Sequence, residues 1–147
     1  MFVVADSPAA RVRTAIVRDH CQLKVFQLAD DLAKQVYRGS KDFPRDELFG
    51  LTAQVRRAAV SIAANIVEGC ARSSHSDYIR FLEIAYGSAR ELQYELGLCN
   101  ELGYLEPAVA ANLSRQCTET AKALNGLIRA LRNPAKVAAE RSDRSRS

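Results

Sequence analysis

At 147 residues, the chain is long enough for one domain with a real core and too short for two comfortable ones. Its 48% hydrophobic and 26% charged content exclude disorder through the middle, and only 7 Gly and 4 Pro leave room for long elements. The net charge of +4 is a mild bias toward an anionic partner, and the absence of Trp and the scarcity of β-branched clusters argue against a sheet.

Four cysteines, at positions 21, 70, 99 and 117, form no C-x-x-C pair, and His20 and His75 have no zinc-site spacing. No metal or other cofactor is expected. Small buried thiols in a reducing compartment fit better than a disulfide framework. The first residues, M-F-V-V-A-D-S-P-A-A-R-V-R, lack a basic segment followed by a long apolar run, and no stretch approaches a membrane span. A cytoplasmic protein with no membrane partner is expected.

Residues 1–22 show no sustained period and are expected to be loosely ordered. From Lys24 to Gly39, Val25, Leu28, Ala29, Leu32, Val36 and Tyr37 recur at three and four, which predicts an amphipathic helix with Gly39 as its C′ glycine. Phe43 before Pro44 predicts an extended break. Pro44 suits a first helical turn, with Asp46 and Glu47 near the positive end of a second helix that runs to Glu68 and stops at Gly69. That helix has two apolar faces. Leu51, Val55, Ala58, Ala59, Ile62 and Ile66 form one; Ala53, Val60, Ala64 and Val67 form the other. Two faces need two partners, and one intramolecular core supplies only one.

Ser74 can cap a third helix, with Asp77 three residues on. It reaches Leu102, with Gly103 as its stop, on a core line of Tyr78, Phe81, Leu82, Ala85, Ala89, Leu92, Leu96, Cys99 and Leu102. Gly87 and Gly97 lie inside it; each costs about 1 kcal/mol relative to Ala, and close approach of another backbone is the expected compensation. Pro107 opens a fourth helix whose stripe is Val109, Leu113, Cys117, Ala121, Leu124, Ile128 and Leu131, and Asn133-Pro134 ends it. Acids dominate the third helix (Asp77, Glu83, Glu91, Glu95, Glu101) and bases the fourth (Arg115, Lys122, Arg129, Arg132), so the two attract. The pattern predicts an all-α, antiparallel up-down-up-down four-helix bundle over 23–133, with a flexible basic tail over 134–147.

Polar residues interrupt the two central helices at regular spacing. Arg57, Ser61, Asn65 and Glu68 fall on one helical face, and Glu83, Gly87, Ser88, Glu91 and Tyr94 share another. Arg57 can reach Glu91 or Glu68, and Asn65 can bond Ser88 across the gap; such buried polar contacts fix register and partner choice more than they add stability. Arg57, Ser61, Asn65, Glu68, Ser88 and Glu91 are therefore expected as inter-helix or inter-subunit contacts. Arg115, Lys122 and Arg129 recur at seven along the fourth helix; with Arg132 they are the candidate nucleic-acid contacts, and Arg11, Arg13, Arg141, Arg144 and Arg146 add bases near the ends. No aromatic stacking motif for RNA accompanies them.

Catalytic signatures are missing. There is no Glu-x-x-His of a di-iron bundle, no Gly-x-Ser-x-Gly and no phosphate-binding loop. Ser73-Ser74-His75-Ser76-Asp77 is explained by helix capping rather than by a triad. The one enzymatic alternative is a hydrolase using Glu68 and Glu91 as paired carboxylates.

The stretch Q-V-R-R-A-A-V-S-I-A-A-N-I-V-E-G (54–69) and F-L-E-I-A-Y-G-S-A-R-E-L (81–92) closely resemble the bacterial S23, or 23S rRNA intervening-sequence, protein family. L-K-V-F-Q-L-A-D-D-L-A (23–33), D-F-P-R-D-E-L-F-G-L-T (42–52) and L-G-Y-L (102–105) fit the same pattern, so the resemblance covers about residues 23 to 132. It implies a four-helix bundle that assembles as a ring-like homopentamer, without an established enzymatic activity. It also implies kinship with the basic, pentameric accessory proteins of diversity-generating retroelements, which work with a reverse transcriptase and nucleic acid. Phe26 stands where that family often has Trp, Val67 where it has Ala, and Cys70 where an aromatic is common; this chain is also less basic than the retroelement proteins. The resulting expectation is a non-enzymatic homopentameric scaffold with a nucleic-acid-binding basic surface.

Overall fold

The structure, a computed structural model, describes the backbone of residues 8–146 and the side-chain surroundings of 24–136 and 139–146. The described residues form five α-helices and one 3-10 turn, with no strand: α1 (Pro8–Gly39), the turn Arg45–Glu47, α2 (Leu51–Cys70), α3 (His75–Glu101), α4 (Pro107–Arg132) and α5 (Pro134–Arg144). Helices α1 to α4 pack in sequence, and α4 closes back on α1, giving the expected four-helix bundle.

The antiparallel register is fixed by particular contacts. Ser61 of α2 meets Ser88 of α3 at 2.9 Å, and Cys117 Sγ of α4 donates to the Ala89 carbonyl at 3.3 Å. Arg56 Nε donates to Ser40 Oγ at 2.9 Å, and its guanidinium lies 4.9 Å from the centre of the Tyr37 ring, tying α2 to the end of α1. The opposite charges of α3 and α4 meet in an ion pair between Glu83 and Arg132.

The core is the first apolar face of α2 laid against the stripes of its neighbours. Leu51, Val55, Ala58, Ala59, Ile62 and Ile66 are all buried, as are Leu32, Val36, Leu82, Leu92, Leu113 and Leu124. Of the core line expected on α3, Phe81 is half-buried and Leu102, which follows the helix end at Glu101, is exposed.

Several boundaries differ from the sequence expectation. Helix α1 begins at Pro8, well before Lys24, with proline in a first turn where its missing N–H costs nothing; residues 1–7 lie outside the described ones. Helix α2 starts at Leu51 rather than at Pro44. Pro44 opens only the 3-10 turn, and Gly50 departs from helical geometry before α2 begins. Glu47 still serves the positive helix end, since its Oε2 accepts the Leu51 N–H at 2.8 Å. The segment expected as a flexible tail contains α5, which Pro134 opens and Arg141 and Arg144 close in its last turn.

The glycines divide by cause. Gly103 is the left-handed cap expected of it, at φ 77°. Tyr104 N bonds Cys99 O at 2.9 Å and Gly103 N bonds Asn100 O at 3.0 Å, the paired closure of a Schellman motif. Gly39 ends α1 as expected and Gly69 lies one residue before the end of α2, but neither takes the left-handed cap conformation, and both are contact points. A Cβ on Gly39 would stand 3.2 Å from Leu113, and one on Gly69 would stand 2.9 Å from Phe81 Cβ and 3.3 Å from the Tyr78 carbonyl. Gly87 and Gly97 show the reverse: among the described residues no neighbouring atom lies within 4 Å of an added Cβ, so none of their backbone comes close to either.

These environments predict opposite effects in thermal melts. Gly69→Ala must push α2 from α3 at a backbone carbonyl and is expected to lose about 1–3 kcal/mol. Gly87→Ala meets nothing in the single chain and, in a chain kept monomeric, is expected to gain up to about 1 kcal/mol of folding stability.

Candidate functional site

The polar residues singled out on α2 and α3 fall into three separate arrangements. At the centre, Ser61 Oγ and Ser88 Oγ share the 2.9 Å hydrogen bond between the helices. Asn65 Nδ2 donates to Ser61 Oγ at 3.0 Å and to the Ser61 carbonyl at 2.8 Å. Asn65 was expected to bond Ser88 itself. Helical side chains lean toward the N-terminus, so Asn65 reaches back one turn, and Ser61 makes the crossing.

Glu68 lies apart from this cluster. It is exposed and ion-paired with Arg72, whose guanidinium sits 4.8 Å from the centre of the Phe81 ring. Arg57 pairs with neither Glu68 nor Glu91 among the described residues; Glu68 is taken by Arg72 and lies three turns from Arg57. The antiparallel register sets Gly69 against Phe81. Glu91 is ten residues further along α3, about 15 Å at the helical rise. Two carboxylates so separated, one of them neutralised, are not the close pair that the hydrolase alternative needs.

The third arrangement centres on Glu95, a residue the sequence reading left out of the site. It is only 3% exposed, and one carboxylate oxygen, Oε2, has no hydrogen-bond partner. Burial, reinforced by the neighbouring Glu91 carboxylate through a hydrogen bond and its charge, pushes the Glu95 pKa up to about 7; the Arg57 charge works against the rise. The signal was present in the sequence, since Glu95 is three residues from Leu92 and four from Cys99, on the buried stripe. Burial, with a smaller contribution from Glu95, also raises the Cys99 thiol to about 11, and burial raises Cys117 to about 12, so both are inert at neutral pH.

The serine-rich turn before α3 does what capping requires. Asp77 N donates to Ser74 Oγ at 3.1 Å, and His75 Nε2 lies 2.9 Å from the Leu131 carbonyl, donating to it in the Nε2-protonated tautomer. Among the described residues no three His, Cys, Asp or Glu side chains gather as metal donors would, and no helix is long and apolar enough to cross a membrane.

The basic candidates on α4 are unequally placed. Arg115, Lys122 and Arg129 are exposed. Arg115 donates to Asn112 Oδ1 at 2.6 Å, whereas Arg132 is held in its ion pair with Glu83. The side chains of Arg11 and Arg13 lie outside the described residues.

The family model of the 23S rRNA-intervening sequence proteins matches residues 21–126. The chain belongs to this family. A crystal structure of a protein of unknown function from the S23 ribosomal protein family of Bacteroides thetaiotaomicron VPI-5482 is similar over 74% of this chain and 98% of that one, at 26% identity and a TM-score of 0.69. A search of curated proteins gives no match. The matched region holds all of α2 and α3 and most of α4, and leaves out α5.

The raised Glu95 pKa has a definite sign in stability. The folded chain keeps a proton that the unfolded chain loses above about pH 4.5, so this contribution is complete at low pH and is lost as pH rises through about 7. Glu95→Gln is expected to stabilise the fold by about 1–2 kcal/mol near pH 8 and by almost nothing near pH 4.5, measured by denaturant titration at each pH.

Proposed function

We propose that this intervening-sequence family protein is a non-enzymatic scaffold that assembles from five copies of itself, using the outer face of α2 and α3 as its interface. One observation carries the reading: the second apolar face of α2 remains uncovered in the single chain. Val60 is 45% and Val67 54% exposed, with Ala64 exposed between them and Arg57 one turn before. Ile84, at 44% exposure, begins a parallel stripe on α3 with Gly87, Glu91 and Tyr94. Both stripes step by threes and fours, the spacing of a helix seam that receives another helix.

The stripe on α2 runs into an open groove of about 650 Å³ lined by Tyr37, Leu48, Phe49, Thr52, Arg56 and Arg57. Phe49 is 93% exposed at its edge. Contiguous apolar surface rimmed by polar groups is typical of a protein interface. A second chain on this seam would supply the close backbone that Gly87 lacks in isolation, and would find Ser61, Asn65, Ser88 and Glu91 as polar groups to fix its register.

The nucleic-acid part of the reading belongs to α4. This helix packs on α3 and α1 rather than on α2, so its outer basic residues stay open when the α2 face is occupied. A cytoplasmic setting agrees with buried, unbridged thiols at Cys99 and Cys117.

Light scattering on the purified chain is expected to give about five times the chain mass of 16.2 kDa. The double variant Val60→Glu, Val67→Glu is expected to become monomeric with unchanged helical circular dichroism. A wild-type chain that stays monomeric at high concentration overturns the reading.

A further inference from the structure

At the far end of α4, Asn133 leaves helical geometry at φ −135° and ψ 65°, and Pro134 restarts the chain as α5. The return brings Glu140, Arg141 and Arg144 to a cleft of about 240 Å³ shared with Gly126 and Arg129. Three arginines and one glutamate thus line the cleft, and none of the three arginines makes an ion pair or a side-chain hydrogen bond with that glutamate or with any other described residue. Three other arginines are ion-paired, Arg132 with Glu83, Arg72 with Glu68 and Arg80 with Asp77, whereas Arg38, Arg45 and Arg57 make no ion pair among the described residues.

Each arginine alone suits the negative end of its own helix. That explanation requires no convergence, and gathering like charges in a concave site is unfavourable unless an anion offsets it. Gly126 adds an independent point. It sits inside a helix at a cost of about 1 kcal/mol relative to Ala. An added Cβ there would meet nothing within 4 Å, so packing does not require the glycine. Its effect is to keep the cleft floor free of a side chain, with backbone exposed.

We propose that the α4–α5 cleft is a phosphate-binding site, in which Arg129, Arg141 and Arg144 close on the phosphodiester backbone of RNA over the bare surface at Gly126. Guanidinium groups grip phosphate oxygens in paired hydrogen bonds, and the residual positive charge of the cleft matches a phosphate anion. Contact is with backbone and not with bases, so binding is independent of sequence. The site rests on the reading of α4 as the face for nucleic acid, and it extends that face from Arg129 to α5, with Arg132 held by Glu83.

The test uses the full-length chain and a short fluorescent RNA of mixed sequence, titrated by anisotropy across a salt series. Arg141→Gln with Arg144→Gln is compared with Arg38→Gln and Arg45→Gln, an equal loss of charge at the opposite end of the bundle. The cleft variant is expected to weaken binding about tenfold or more and to flatten the slope of log affinity against log salt by about two, with little effect from the control pair. Gly126→Glu, which places a carboxylate on the floor, is expected to do the same, and circular dichroism checks that all variants fold. If RNA binds and the cleft variants lose no more than the control, the site is refuted while the nucleic-acid reading of the chain stands. Absence of RNA binding even at low salt refutes both. In that case, saturable binding of inorganic phosphate, followed by phosphorus NMR, identifies the cleft as a pocket for free phosphate and overturns the RNA assignment.

Discussion

Everything in this molecule turns on one excess: α2 carries more apolar surface than a four-helix bundle can cover. Its first face fills the core so completely that Val55, Ala59, Ile62 and Ile66 have no solvent contact. Burial at roughly 25 cal/mol per Å2 of apolar surface makes that face the main source of stability. The second face has the same small and branched residues and no neighbour. That second apolar side is the feature on which the proposed self-assembly rests.

The polar groups on α2 and α3 make sense as instruments of register. The Ser61–Ser88 bond and the Asn65 amide sit at the seam between the helices, where a slip of one turn would leave them unpaired. Gly69 reinforces the same alignment sterically, because only hydrogen fits between α2 and the start of α3. Glu95 is the exception, a carboxyl held among apolar side chains with an oxygen unmatched. It weakens the folded chain at neutral pH, and the Arg57 charge beside it offsets part of that cost.

Much of this was legible from residue spacing. The stripes of α2 and α4, the Ser74 cap and the Gly103 stop follow from local chemistry that acts within a few residues. Less legible were contacts whose cause lies on another helix. Gly39 does end α1 and Gly69 nearly ends α2, but the close contact of α4 and α3 with them was not visible in their position. Asn65 and Ser88 share a face with their expected partners, yet side-chain tilt and register gave the crossing bond to Ser61. Glu95 was hidden by its charge, although its spacing put it on the buried line.

The sequence by itself determined the class of fold, the number of bundle helices, the face of α2 that enters the core and the membership of the intervening-sequence family. Period, capping and turn chemistry are local, and local rules suffice for them. Only the tertiary structure decided which polar groups meet, that Glu68 and Glu91 stand far apart, that Arg132 is consumed by Glu83, and that α5 returns to set Arg141 and Arg144 beside Arg129. Those outcomes depend on how helices distant in sequence align, and alignment is set by the packing of whole faces rather than by any residue's own preference.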